Sequence, residues 1–188
     1  VSDNPRRWGI TPRDADQKIW LARGLVIHCQ ISDMLWYLKI RVFGEDGKPI
    51  RGDSKYGKYS QPAGGKGALF GADKLTHKSG LLLAESELDA LLAWQEGRDL
   101  LDVATLGGAG KYLNSRWIPR LLPYPRIFLA YDQDKAGRQG AQKLSGLSQR
   151  LVISPPPVGD LCDFHREGGD LREMMARMHD NNIPAKCQ

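Results

Sequence analysis

The chain has 188 residues, enough for one domain or for one domain with a smaller appended unit, and its 41% apolar and 26% charged side chains exclude disorder and low complexity. No apolar run approaches the roughly 20 residues of a membrane span, the longest being 80–84 and 127–131, so no membrane partner is expected. The net charge of +5 is unevenly placed: residues 1–78 hold 14 basic and 8 acidic side chains, whereas residues 79–188 hold 13 and 14. Lys48, Arg51, Lys55, Lys58, Lys66, Lys74 and Lys78 crowd one stretch of the basic half. Such density suits a polyanion, because each phosphate neutralised releases condensed counterions.

The basic block opens on a polar lead-in, 3–13, followed by a short amphipathic piece around Ile19, Trp20 and Leu21. Residues 24–31 and 34–43 are rich in aliphatic and aromatic side chains, and Ser32-Asp33 between them predicts a hairpin. Another turn is expected over 45–48. From 49 to 67 the composition shifts to Gly, Lys, Ser and Tyr, a loop whose backbone can approach a phosphate closely.

From Gly80 the pattern changes to short apolar runs alternating with helix-length amphipathic ones. Strands are predicted over 81–84, 102–106, 126–131 and 151–153, and helices from Leu88 to about Gly97, over 115–122 and over 136–149. That order implies a parallel sheet covered by helices, with ligands at the C-terminal strand ends. After the proline run 155–157 a tail follows, helical from 170 to 180. The chain starts at Val1 without a charged and then apolar leader, and is expected to be a piece of a longer protein.

Cys29, Cys162 and Cys187 are too far apart for a zinc site or disulfide framework, so a reducing compartment is expected. His28, His77, His165 and His179 likewise lack a metal-ligand spacing. Gly110-Lys111 does not make a P-loop, because Tyr112 stands where Ser or Thr is needed and Thr105 where the first glycine belongs.

Three acidic pairs stand just beyond predicted strands: Glu85 with Asp89, Asp132 with Asp134, and Asp160 with Asp163. Any one of them alone is explained as acids favoured at a helix N-terminus. Together they would converge on one crevice, where unneutralised carboxylates repel, so bound Mg²⁺ or Mn²⁺ is expected. Lys135 and Arg138 open the following helix with charge available for phosphate.

The run Leu81 to Leu91 containing Glu85 and Asp89, and Asp132-Gln-Asp134-Lys-Ala-Gly137, resemble the TOPRIM domain of primases, topoisomerases, nucleases and recombination mediators. Glu85 and Asp132 are 47 residues apart. Ser86 and Gln133 stand where the family usually has glycine. Gly159-Asp160-Leu-Cys-Asp163 is similar to a Lys-Asp-x-Asn-Asp element of phage and plasmid primases, and Gly107 to Gly110 resembles the family's glycine turn. Residues 24–71 look like the basic subdomain that precedes TOPRIM in primases.

The resemblance implies an α/β fold: a TOPRIM-type parallel sheet covered by helices over 79–188, with a C-terminal helical tail. A small basic mixed α+β subdomain for nucleic-acid or nucleotide binding is expected over 1–78. It implies a bacterial or phage-type DNA primase core, a nucleotidyltransferase of DNA replication that makes short RNA primers on single-stranded DNA from ribonucleoside triphosphates. Two or more Mg²⁺ or Mn²⁺ would be held by Glu85, Asp89, Asp132, Asp134, Asp160 and Asp163. Glu85, Asp132 and Asp134 are the expected catalytic residues, Glu85 either as a ligand or as a general acid or base. Lys55, Lys58, Lys66, Lys135 and Arg138 would hold template or nucleotide phosphates, with Tyr56 and Tyr59 offering faces for bases. A zinc-binding domain, a replicative-helicase partner and a bacterial, phage or plasmid origin with a cytoplasmic location also follow, the first two through regions outside these residues. A metal-dependent nuclease on the same carboxylates and a non-catalytic DNA-binding or assembly module remain as alternatives.

Overall fold

The computed structural model describes residues 21–50 and 57–180 in full and, of residues 2–3 and 19–20, the backbone. Two compact units divide the chain, Val1–Ala68 and Leu69–Gln188.

In the first unit β1 (Ser2–Asp3) pairs with β2 (Ile19–Trp20), and β3 (Gly24–Ile31) with β4 (Met34–Val42), both antiparallel. The expected hairpin turns on Ser32 and Asp33, whose φ of 50° and 61° are the left-handed pair that a two-residue turn needs to match the twist of its strands. Alternation along β4 buries Ile40 and Val42 against Leu21 and Ala22 and turns Lys39 and Arg41 the other way. A third strand, β5 (Tyr59–Ser60), pairs with β4 inside what the composition marked only as a loop. The Arg41 guanidinium holds the approach to it, donating to the Ile50 carbonyl at 2.7 Å and the Lys58 carbonyl at 2.9 Å.

The second unit follows the expected alternation. β6 (Gly80–Ala84), α1 (Glu87–Gly97), β7 (Asp102–Thr105), α2 (Ile118–Leu121), β8 (Arg126–Ala130), α3 (Lys135–Ser145) and β9 (Leu151–Ile153) succeed one another, then α4 (Leu161–Arg166) and α5 (Leu171–Asp180). The strands are all parallel in the order β7-β6-β8-β9. Every residue of the central β6 is buried, as a strand covered on both faces requires. Leu82, Ala84, Val103, Phe128 and Ala130 face one core with α1, α4 and α5, centred on Ala90, Leu161, Leu171 and Met175. Each fully buried leucine contributes about 1.5–3 kcal/mol relative to exposure.

Two helices differ from expectation. The 115–122 segment is a 3-10 turn, Ser115–Trp117, running into the four-residue α2, with proline in its first turn. Helix α3 ends at Ser145, four residues early, where Gly146 caps it. Residues 69–78, counted with the basic block on charge, hydrogen-bond into the second unit: Phe70 and Thr105 exchange backbone bonds of 2.9 and 3.1 Å. The buried Asp102 gathers the same segment, accepting from the Thr76 N–H, the Thr76 hydroxyl, the Lys78 N–H and the Tyr124 hydroxyl. Burial alone would raise its carboxyl, but those four bonds outweigh burial and hold it below the usual range. No helix among the described residues is long and apolar enough to cross a membrane.

Candidate active site

Glu85 is the first residue beyond β6, and Ser86 then caps α1. Ser86 Oγ accepts from the Asp89 N–H at 3.3 Å and donates to Asp89 Oδ2 at 2.5 Å, so the residue that stands where glycine was expected fixes the Asp89 carboxylate. Asp89 is 3% exposed. Glu85 precedes the cap, so it and Asp89 are not two positions of one helical face. Its backbone carbonyl accepts the Thr105 hydroxyl at 2.9 Å from the neighbouring strand.

Strand β8 lies next to β6 in register Ala84 to Ala130. That adjacency delivers Asp132 to Glu85: the Asp132 N–H donates to Glu85 Oε2 at 3.1 Å. Asp134 is exposed and caps α3, its Oδ1 accepting from the Gly137 N–H at 2.7 Å. Gln133, between them, donates to the Pro156 and Pro157 carbonyls at 2.5 and 3.0 Å and so ties the proline run after β9 to this centre. Gly137 is required by space. A Cβ there would lie 2.3 Å from the Asp132 carbonyl oxygen and 2.8 Å from Glu85 Oε2.

Asp160 caps α4 by accepting the Asp163 N–H at 2.6 Å, and the Cys162 N–H donates to Asp89 Oδ1 at 3.1 Å. Ligand atoms of Asp89, Asp160 and Cys162 all lie within 4.8 Å of one another. Burial, then Asp89, pushes the Cys162 thiol well above its ordinary range, so the group is a protonated S–H bonded to Asp89 rather than a thiolate ligand. The remaining donors are carboxylate oxygens, the set a hard divalent cation takes.

The carboxylates of the cluster repel one another. Burial, followed by Glu85, Asp89, Asp160 and Asp134, pushes Asp132 up to about 7. Burial also raises Glu85; the Asp132 N–H opposes this, and Asp134 and Asp89 add to it. Five of the six predicted carboxylates therefore feel one another. Asp163 stands apart, paired with Arg166 and 45% exposed.

Lys135 and Arg138 are exposed at the start of α3, with the Arg138 guanidinium on the Gln133 carbonyl. In the first unit, the Lys58 ammonium is 5.9 Å from the centre of the Tyr59 ring. The sequence reading missed two companions: Lys39 at 4.7 Å and Arg41 at 5.3 Å from the same ring. Their alternate positions on β4 were the available signal. Lys66 is exposed, its backbone N–H donating to the Trp36 carbonyl at 2.8 Å. Lys55 and Tyr56 lie outside the described residues.

A four-stranded parallel sheet with acids beyond its strand ends is an α/β domain with carboxylate oxygens, donors of the kind hard divalent cations take, where such sheets bind ligands. Residues 82–165 match the family described as Toprim-like, and this stretch of the chain is a TOPRIM domain with the fold of primase catalytic cores. The chain is similar in structure to the primase fragment of the bacteriophage T7 primase-helicase protein, with TM-score 0.56 and 18% identity over 82% of this chain and 65% of that one. It is similar to the E. coli primase catalytic core, with TM-score 0.59 and 15% identity over 93% and 61%. It is also similar to the DnaG primase catalytic domain bound to single-stranded DNA, with TM-score 0.63 and 16% identity over 96% and 63%. The chain thus spans less than two thirds of the length of each of these three. No curated protein sequence matches it.

Proposed function

We propose that the chain is the catalytic core of a DNA primase, joining ribonucleoside triphosphates into short primers on single-stranded DNA. The observation that carries this reading is the convergence of Glu85, Asp89, Asp132, Asp134 and Asp160 in a TOPRIM domain, with an unneutralised Asp132 pushed up to about 7. Asp89, Asp132, Asp134 and Asp160 would hold Mg²⁺ or Mn²⁺. Bound there, such ions supply Lewis acidity to phosphate oxygens and neutralise charge developing on the leaving pyrophosphate. Glu85, held above the ordinary carboxylate range, is suited to take the proton of the attacking 3′-hydroxyl. Lys135 and Arg138 orient the phosphates that leave. Lys39, Arg41, Lys58 and Lys66 hold template, with the Tyr59 ring among them.

Primer synthesis with labelled ribonucleotides, single-stranded DNA and either metal tests this. Length-resolved oligoribonucleotides are expected from the wild type and none from Asp132→Ala or Asp134→Ala, while both variants keep the wild-type circular dichroism. Undiminished synthesis by a variant carrying both substitutions overturns the reading. Cutting of the template in place of synthesis replaces it with a nuclease on the same carboxylates.

A further inference from the structure

Beyond the acidic cluster, the loop after β7 continues into a cavity of about 410 Å³. Its walls are Ala109 to Leu113 on one side and, on the other, the face of α3 carrying Gln139, Lys143 and Leu144, with Leu147 just past the helix. The loop is pressed onto the helix: a Cβ on Gly140 would stand 2.6 Å from the Ala109 carbonyl oxygen, so only glycine permits the approach. The Lys143 ammonium sits 3.8 Å from the centre of the Tyr112 ring. Yet Tyr112 remains 74% exposed, so one face of a ring held in place by a cation is open. Among the described residues no carboxylate lines the cavity, and Lys111 adds a second ammonium.

We infer that this cavity is a subsite for one nucleotide of a single strand leaving the acidic centre, with its base stacked on Tyr112 and its phosphates between Lys111 and Lys143. The inference deepens the primase reading and rests on it for the kind of ligand. A purely architectural role does not account for the site, since packing a loop needs no aromatic ring left three-quarters in water. Each element of the wall matches a part of a nucleotide. Tyr112 offers a π face that any base can use, Leu144 and Leu147 an apolar floor, Gln139 a donor and acceptor for base edges, and the two lysines point charges for phosphate. A volume of about 410 Å³ lies within the range of small-ligand pockets, roughly 300–1,000 Å³, and suits one nucleotide at a time.

Position and charge favour a strand over a free nucleotide. Ala109 hydrogen-bonds the Glu85 carboxylate through its backbone, and Tyr112 follows three residues later, a reach of at most about 11 Å. A strand with one end at Glu85 therefore has the ring within reach of its neighbouring nucleotides. A free triphosphate carries more negative charge than two ammoniums balance, whereas a strand brings one phosphate per nucleotide.

The test uses the whole chain in EDTA, with a fluorescein-labelled mixed-sequence single-stranded DNA, read by anisotropy. Tyr112→Ala is expected to weaken binding about tenfold, as loss of one stacked base does, and Tyr112→Phe to bind as wild type. Lys143→Ala is expected to lower the slope of log affinity against log salt by about 0.7, one phosphate's worth. Photocrosslinking with a 5-iodouracil-substituted strand, mapped by mass spectrometry, is expected to mark residues 111–113. Wild-type affinity in Tyr112→Ala, with crosslinks confined to residues 1–68, overturns the inference. So does ATP that binds the wild type and loses affinity in Tyr112→Ala while strand binding is unchanged. Failure of primer synthesis with Tyr112-dependent strand binding intact removes the primase reading and leaves this site standing.

Discussion

Asp132 shows how far a single side chain reports on its neighbours. With no cation bound, burial and then the charges of Glu85, Asp89, Asp160 and Asp134 hold its carboxyl at about 7. An unfolded aspartate titrates near 3.9, so between about pH 4 and 7 the folded chain binds the extra proton. Stability of the metal-free protein therefore falls as pH rises through that window, the reverse of a salt-bridged aspartate. In EDTA, Tm is expected to be lower at pH 7.5 than at pH 5.5. Asp132→Asn should remove most of the difference, and added Mn²⁺ should raise the wild-type Tm more than that of the variant at pH 7.5. A wild-type Tm that is flat or rises with pH counts against the cluster. All six acids were visible in the sequence as residues beyond strand ends, but their division of labour was not. Asp89 and Cys162 are 73 residues apart, and only the packing of α4 against α1 brings them into contact. Asp163 pairs instead with Arg166, one turn on, a contact that the spacing of the acids alone does not show.

At the level of elements, the geometry depends on how closely α3 approaches the ends of β6 and β8. Gly137 sits on the Asp132 carbonyl and the Glu85 carboxylate while its N–H binds Asp134, so one residue spaces three acids. Gly137→Ala forces a methyl into that contact; overpacking of this kind costs about 1–3 kcal/mol. The expected outcome is a lower urea midpoint with an unchanged m-value, together with loss of primer synthesis, because the α3 N-terminus is displaced from both strand ends. Wild-type synthesis by this variant would show that the spacing tolerates an ångström or more. The strands of the second unit were legible because buried apolar runs bounded by Gly, Asp and Pro have few alternatives. What escaped was set by pairing rather than pattern. The two residues of β5 have no period of their own and become a strand only by pairing with Ile40 and Arg41 of β4. Helix α3 stops at Ser145, before the amphipathic pattern does, where the Gly146 N–H caps it on the Gln142 and Leu144 carbonyls.

On the scale of the whole molecule, charge divides between the units much as chemistry does. The cations gathered at Tyr59 lie in one unit and the carboxylates in the other, so binding and catalysis are expected to respond to different perturbations. On the proposed reading the acids and not the lysines depend on divalent metal, so EDTA should abolish synthesis while single-stranded DNA still binds. Neutralising the Tyr59 group should act in the opposite sense. Each phosphate contact on a single strand contributes about 0.7 to the slope of log affinity against log salt, so Lys39→Ala with Lys58→Ala should lower that slope by about 1.4. Because the defect is in capture, saturating template should restore synthesis by this double variant. If the slope is unchanged, the cations around Tyr59 belong to the packing of β4 and β5, and template is held elsewhere. If the slope falls but saturating template does not restore synthesis, these side chains act on the reacting strand as well as on its capture.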